Sequence, residues 1–230
     1  MTNHNTLYSG SETLEGLLQH SRFAECIDAG KKLLVINGEN GAVLRAIGIA
    51  HLQLEIFDEA EKFLRKAVSL MPSCSRTKFA IGLALKGLGL FDEALVYLLQ
   101  ILKSKSIPPH AYIEAIETAS LAQKSNLARR LSNKVQKKIA RDPSLLNRLA
   151  LYELGVKNTD TAIRLLQSTI SLCPKSEIYR NNLGNALRQK GLFDDAFSNY
   201  AYAKRINPNY APAYVNSGAT LQITNDKKYQ

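Results

Sequence analysis

The sequence of 230 residues contains no tryptophan, three cysteines and four histidines. Cys26, Cys74 and Cys173 show neither CxxC spacing nor the spacing of zinc ligands, and the histidines never lie at ligand spacing from one another. An odd number of cysteines fits a reducing compartment better than a secreted, disulfide-linked domain. We therefore expect a cytoplasmic protein that holds no metal and no cofactor.

Long apolar runs are also missing. The apolar segments are short and interrupted by glycine, lysine or glutamate, so no membrane-spanning helix is expected. Residues 1–10 are polar and lack the basic and then apolar segments of a secretory signal. The sequence offers no Ser/His/Asp set, no glycine-rich phosphate loop after a strand and no carboxylate pair suited to a cleft. These absences predict that the chain is not itself an enzyme.

What the chain does contain is a fixed period. Alanine recurs every 34 residues, at Ala60, Ala94, Ala128, Ala162 and Ala196. A constant period of this length is typical of stacked copies of one small structural unit. Counting from residue 7 predicts a polar tail at 1–6, six units, and a partial, truncated seventh unit at 211–230. The six units are 7–40, 41–74, 75–108, 109–142, 143–176 and 177–210.

Each unit has the pattern of two helices joined by a turn. The apolar side chains of residues 44–54 and of residues 59–70 follow helical spacing, and no segment alternates as a strand would. Position 8 of the unit is often glycine and position 20 is mostly alanine, so two helices can approach closely. An aromatic residue at position 17, such as Phe57, lies at the turn, and a proline near position 32, such as Pro72, ends the second helix.

This pattern resembles the tetratricopeptide repeat. The resemblance covers about residues 7–230 and is strongest in three stretches: Gly48 with Phe57–Ala60 and Pro72; Gly82 with Phe91–Ala94; and Gly184 with Phe193–Ala196, Tyr200, Ala203 and Pro208. It implies an all-α protein, a right-handed α-solenoid of stacked helix–turn–helix units. It also implies a scaffold for protein–protein interaction, with a protein or peptide as partner.

In this family the first helices of successive units line a concave groove, and positions 2, 5, 6, 9, 12 and 13 face it. Transferred to this sequence, the family's positions predict a partner-binding groove that includes Arg45, Arg76, Phe79, Lys86, Arg148, Asn181, Asn182, Asn185, Arg188 and Asn216. The fourth unit adds Glu114 and Glu117, so the middle of this groove is acidic.

The asparagines of the last units are the most informative part of that groove. Asn182 and Asn216 share position 6 in adjacent units, and Asn185 lies three residues after Asn182 on the same helical face. The late repeats resemble the repeat domain of O-linked N-acetylglucosamine transferases, in which a row of asparagines holds an extended peptide by its backbone. The alternative is that these asparagines are only soluble residues tolerated on a first helix.

Basic residues exceed acidic ones, and the formal net charge is +10. A run without acidic residues spans 124–141, mostly on the predicted second helix of the fourth unit, and its basic face is Arg129, Arg130, Lys134, Lys137 and Lys138. Such a run indicates either a solvated surface or a binder of anionic partners. It contains no aromatic residues for base stacking, so nucleic acid is the less favoured of these partners.

The predicted seventh unit is incomplete. Residues 211–224 have the pattern of a first helix, Asn225 and Asp226 predict a turn, and a second helix would only begin at Lys227. Repeat arrays need a polar terminal cap, which this end lacks. We therefore expect an N-terminal recruitment domain of a larger protein, in which a catalytic, glycosyltransferase-like domain could follow. The uncapped C-terminal helix could also support a homodimer.

Overall fold

The computed structural model of the protein describes residues 13–103 and 108–228. Within these residues all regular secondary structure is helical, which confirms the all-α prediction. The polar tail predicted at residues 1–6 lies outside the described residues. The chain divides between Arg129 and Arg130 into an N-terminal body and a C-terminal body.

Short helices follow one another along the chain, and α1 covers residues 13–19 of the described part. The others are α2 Phe23–Asn37, α3 Gly41–Gln53, α4 Phe57–Leu70, α5 Ser75–Gly87, α6 Phe91–Ile101, α7 Pro109–Leu121, α8 Ser125–Val135, α9 Pro143–Gly155, α10 Thr159–Leu172, α11 Glu177–Lys190, α12 Phe193–Ile206 and α13 Ala211–Lys228. Among the described residues, no helix combines the length and the apolar character needed to cross a membrane.

Several first helices of a pair begin at a side chain that caps the backbone. The Asn40 side chain accepts hydrogen bonds from the backbone N–H groups of Ala42 and Val43, at 2.9 and 3.2 Å, at the start of α3. Asp142 and Ser176 cap α9 and α11 in the same way. The second helices α4, α6 and α12 instead carry two carboxylates in their first turn. These negative charges interact favourably with the positive end of the helix dipole.

The turn between paired helices has the same backbone conformation throughout. Position 15 of each predicted unit has a φ between 58° and 83°, and these residues are Ser21, Glu55, Gly89, Gln123, Lys157 and Gly191. This left-handed conformation is costly for any residue with a Cβ atom, yet four of the six residues are not glycine. The turn therefore recurs every 34 residues although the residue type at this position does not reveal it.

Glycine at position 8 allows the two helices of a pair to touch. A Cβ atom at Gly48 would lie 2.5 Å from Cγ of Leu64, and one at Gly184 would lie 2.4 Å from the ring of Tyr200. Leu64 and Tyr200 are fully buried and stand at position 24 of their units. The close approach that the small residues predict is therefore present in these pairs.

Helices pack mainly against their neighbours in the chain. In the N-terminal body α2 packs on α3, α3 on α4, α4 on α5, α5 on α6 and α6 on α7, and the first helices α3, α5 and α7 also contact one another in turn. In the C-terminal body each helix from α9 to α13 packs on the next, and α9, α11 and α13 contact one another in turn. The first helices therefore lie side by side within each body.

One local prediction was wrong. Asn225 and Asp226 do not form a turn, because α13 continues through them to Lys228. Asparagine and aspartate favour turns through local hydrogen bonds, but a helix ends more reliably at glycine or proline. Neither of these residues occurs between Ala219 and Lys228, so nothing in the sequence stops the helix there.

Candidate partner-binding surfaces

The predicted cationic groove residues of α3 and α5 are engaged in ion pairs. Arg45 Nη2 lies 3.3 Å from Glu15 Oε1, and Arg76 Nη1 lies 3.0 Å from the same oxygen. The side chain of Arg45 is 14% exposed and that of Arg76 is 66% exposed. Glu15 of α1 therefore partly neutralises this end of the groove, and Arg76 is the cation that a ligand can reach more easily.

Lys86 on α5 is paired with the two acidic residues of α7. Its Nζ atom lies 2.8 Å from Oε2 of Glu114 and 2.8 Å from Oε2 of Glu117. Burial disfavours the ammonium ion, but the two carboxylates outweigh this effect and hold the pKa of Lys86 above its ordinary value. The cation and the acidic patch that the sequence predicts thus neutralise each other across two first helices.

A cavity of about 500 Å³ lies between α3, α5 and the start of α7. Its walls are mostly apolar and include Leu52 and Leu83, while Arg76, Phe79 and His110 also line it. The rings of Phe79 and His110 meet edge to face, with centroids 5.0 Å apart. Two predicted groove residues, one cationic and one aromatic, are therefore brought together at one cavity.

The late asparagines form hydrogen-bonded pairs between successive first helices. Asn182 Nδ2 of α11 donates to Asn147 Oδ1 of α9 at 2.9 Å, and Asn216 Nδ2 of α13 donates to Asn181 Oδ1 of α11 at 2.9 Å. Asn181 is buried, whereas Asn182 and Asn216 are half-buried. We call these four residues the amide row. The two asparagines at position 6, Asn182 and Asn216, are thus each hydrogen-bonded to another asparagine on the preceding first helix.

The other predicted residues of this region flank the amide row. Asn185 accepts a hydrogen bond from the hydroxyl of Tyr200 at 2.9 Å, so its carbonyl oxygen holds α11 to α12. Arg148 on α9 and Arg188 on α11 are both half-buried. Asn185 therefore has a structural partner within its own pair of helices, whereas Asn182 and Asn216 bridge between pairs.

The basic run is exposed to solvent. Ala128, Ser132 and Val135 bury one side of α8. The basic face occupies the exposed positions of α8 and of the turn that follows it, at Arg129, Arg130, Lys134, Lys137 and Lys138. Lys124, just before α8, pairs with Asp92 instead.

Sequence reasoning missed a second cavity beside this run. It has a volume of about 290 Å³ and lies between the turn after α8, α9 and α10. Its charged residues are Lys137 and Arg164, and its other polar residues include Thr161 and Ser168. These residues are far apart in sequence and belong to no shared motif, so spacing alone offered no signal. We call this the basic cavity.

Where the structure describes them, the acidic, histidine and cysteine side chains show no arrangement suited to a metal. Among the described residues no three of them form a group that could hold a metal ion. Cys26 is fully buried at the position that alanine occupies in the other units, and burial raises the pKa of its thiol to about 11. It therefore packs as a small apolar side chain.

Comparison with known proteins supports the repeat assignment. Residues 147–211 match the family model described as tetratricopeptide repeat. The human protein O-mannosyl-transferase TMTC1 is 22% identical over 188 residues, which is 80% of this chain and 20% of that protein. The chain therefore spans about a fifth of the length of this relative.

Solved structures of repeat proteins share the fold. The C-terminal part of a TPR repeat-containing protein from Cytophaga hutchinsonii is similar with a TM-score of 0.74 and 15% identity, over 94% of this chain and 90% of that one. A chain of the APC/C hetero-tetramer Cut9–Hcn1 has a TM-score of 0.70 and 17% identity, over 97% of this chain and 44% of that one.

A third similar structure is YrrB, described as a TPR protein with an unusual peptide-binding site. It has a TM-score of 0.62 and 15% identity, over 82% of this chain and 97% of that one. Identities this low carry the fold and nothing finer. The repeated turn and the glycine contacts agree with the family match at residues 147–211, and the chain has the fold of these tetratricopeptide-repeat structures.

Proposed function

We propose that the chain is a protein–protein interaction scaffold that binds an extended segment of a partner protein along its first helices. The amide row of the C-terminal body carries this proposal. Each primary amide has two N–H donors and an oxygen with two lone pairs. Each pair uses one donor of one residue and one lone pair of the other. The remaining capacity of Asn182 and Asn216 suits the N–H and C=O groups of a peptide backbone.

The pairs also fix the direction of these amides. A free asparagine side chain rotates and would lose that freedom on binding, which weakens affinity. Asn182 and Asn216 are each held by a partner on the preceding first helix, so part of that cost is already met in the unbound protein. The cavity beside Phe79 adds, in the N-terminal body, a place for an apolar side chain of a partner segment.

The test begins with peptides selected from a random library against the whole chain. Their affinity is then measured by fluorescence anisotropy for the wild type and for Asn182→Ala with Asn216→Ala. We expect a loss of about tenfold or more, because each missing hydrogen bond contributes on the order of 1 kcal/mol. Asn207→Ala is the matched control, because that amide donates to Glu177 outside the row. Equal affinity of wild type and double variant for every selected peptide would refute this function.

We also propose that the scaffold recruits partners for a larger protein. The support is the similarity of this chain to TMTC1, a transferase in which the matching segment is only 20% of the whole protein. Blotting the source cell with an antibody to this chain tests the idea. A band well above 25.5 kDa is expected. A band at that mass would make the chain a free-standing adaptor, and its oligomeric state should then be measured to test for a homodimer.

A second candidate function is the binding of anionic partners, either acidic protein or nucleic acid, through residues 124–141. The exposed basic face and the basic cavity favour it. Affinity should then fall steeply as salt rises, because bound cations release counterions from the partner. Charge reversal at Arg130, Lys134 and Lys137 should abolish binding, and unchanged binding would rule this candidate out.

A further inference from the structure

The basic cavity has the chemistry of a phosphate site. Resting on the second candidate function, we propose that it binds one phosphate group, carried by a phosphorylated side chain of a partner protein. Lys137 enters from the turn after α8 and Arg164 from α10, so two cations on different elements line one concave space. A guanidinium group matches phosphate oxygens with two parallel N–H donors, and an ammonium group adds a compact charge.

Arg164 is held in place before any ligand arrives. Its Nη2 atom donates to Thr161 Oγ1 at 3.0 Å, one helical turn earlier on α10. Thr161 is buried, so this contact restrains the guanidinium group at the wall of the cavity. A cation restrained in this way loses less conformational freedom when it binds an anion.

The charge around the cavity is not cancelled from within. Among the described residues that line it, none is acidic. The carboxylate of Asp160, next to Thr161 in sequence, does not line the cavity; it pairs with Nζ of Lys190 at 2.6 Å and interacts more weakly with Arg164. Arg130 and Arg141 are exposed nearby in sequence and raise the local positive potential. A dianionic group would thus be attracted to the cavity and meet no carboxylate in its wall.

The shape of the cavity favours a phosphorylated side chain over a nucleic acid strand. A volume of about 290 Å³ accommodates a phosphate and the carbon atoms that carry it. Leu146 and Leu165 supply apolar wall for those carbon atoms. Single-stranded nucleic acid is usually held by aromatic side chains that stack on the bases, and the described lining contains none.

The experiment compares three probes on the whole chain. They are a degenerate peptide library with one fixed phosphothreonine, the same library with unmodified threonine, and a single-stranded oligonucleotide. We expect the phosphorylated library to bind at least about tenfold more tightly than the unmodified one. Arg164→Gln and Lys137→Gln should each remove about tenfold of that affinity, which corresponds to roughly 1.4 kcal/mol.

Matched variants separate the cavity from general charge. Arg130→Gln removes one exposed cation outside the lining and should change phosphopeptide affinity by less than about twofold. Arg164→Lys keeps the charge but loses the paired donors, so it should recover only part of the affinity. Circular dichroism confirms that each variant is folded, which is expected because Lys137 and Arg164 are exposed.

Two results would overturn the phosphate site. One is equal binding of the phosphorylated and unmodified libraries. The other is preferred binding of the oligonucleotide with equal losses for Arg130→Gln, Lys137→Gln and Arg164→Gln, which would leave anion binding intact but place it on the whole basic face. If reversal of charge at Arg130, Lys134 and Lys137 leaves the binding of every anionic probe unchanged, the second candidate function fails as a whole.

Discussion

At the scale of single residues, glycine at position 8 has different consequences in different units. A Cβ atom at Gly184 would enter the ring of Tyr200, whereas one at Gly218 meets nothing within 4 Å. Both glycines lie within helices, where alanine is intrinsically preferred by about 1 kcal/mol. Replacing each glycine by alanine therefore shows whether helix packing or helix propensity dominates at two equivalent positions of the repeat.

We predict that Gly184→Ala lowers the free energy of unfolding by about 1–2 kcal/mol, because overpacking outweighs helix propensity. Tyr200 is fully buried and cannot move aside without disturbing its neighbours. Gly218→Ala should instead be neutral or stabilising by up to about 1 kcal/mol. Urea unfolding followed by circular dichroism measures both. A stabilised Gly184→Ala variant would show that this pair of helices leaves room for a methyl group.

His51 is a polar residue in an apolar position. It stands at position 11 of its unit, where Leu85 and Leu187 stand in two others, and it is 7% exposed. Its ring stacks on Phe63 with centroids 5.7 Å apart, and neither ring nitrogen has a hydrogen-bond partner. Burial, with help from nearby lysines and opposed by Glu59, lowers the pKa of His51 below its ordinary value of 6.5.

This environment predicts that acid destabilises the N-terminal body through His51. As pH falls below 6.5, His51 becomes protonated in the unfolded chain while it stays neutral in the folded protein. The free energy of unfolding therefore decreases until the pH reaches the lower pKa of His51 in the folded protein. We expect His51→Leu to remove this part of the pH dependence. It should also stabilise the protein at neutral pH by about 1 kcal/mol or more, because an unpaired N–H is no longer buried.

The measurement is the urea midpoint of wild type and His51→Leu at several pH values between 5 and 8, a range chosen to span the ordinary histidine pKa of about 6.5. The two curves should diverge as the pH falls. Parallel curves would mean that the imidazole is protonated in the folded protein at no cost.

At the scale of the helix pair, the turn at position 15 predicts opposite effects of glycine and alanine. Lys157 holds a left-handed φ of 62°, and Gly191 holds a φ of 83° in the equivalent turn. Lys157→Gly should stabilise by about 0.5–1 kcal/mol, because glycine adopts this conformation without a Cβ clash. Gly191→Ala should destabilise by about 1 kcal/mol. Thermal unfolding measures both, and equal signs would show that the turn is set by something other than backbone conformation.

The sequence predicts the helices more easily than it predicts the contacts between side chains. The helices follow from the 34-residue period and the close approach at Gly184 follows from residue size, and both can be read from the sequence without knowing which side chains meet. The hydrogen bond between Asn147 and Asn182 depends on how two neighbouring helices are rotated about their axes and on the rotamers of the two side chains. The pairing of Lys86 with Glu114 depends on the same kind of detail. Such contacts join residues about one period apart, and no local pattern encodes them.

The end of α13 shows the limit of local signals in another way. Asn225 and Asp226 favour a turn, but either residue can also be accommodated in a helix. In the preceding pair, Gly191 follows α11 and adopts a left-handed conformation that ends the helix. Without such a residue, helix propagation through Asn225 costs little, and the helix continues to Lys228.

At the scale of the whole molecule, the 34-residue period makes one packing site recur along the chain. The five alanines at position 20, from Ala60 to Ala196, are all fully buried. Cys26 occupies the same site in the first unit and is also fully buried. Every one of these sites should therefore accept a small side chain and reject a large one.

We predict that Ala162→Phe destabilises the protein by roughly 1–3 kcal/mol or more, because a phenyl ring cannot fit between closely packed helices. Cys26→Ala, which places the common residue in the same site, should cost less than about 1 kcal/mol and serves as the control. In a repeat array each unit depends mainly on its neighbours, so hydrogen exchange should show the loss of protection chiefly in α9, α10 and α11. A neutral Ala162→Phe, or protection lost evenly from α2 to α13, would mean that the period does not organise the packing.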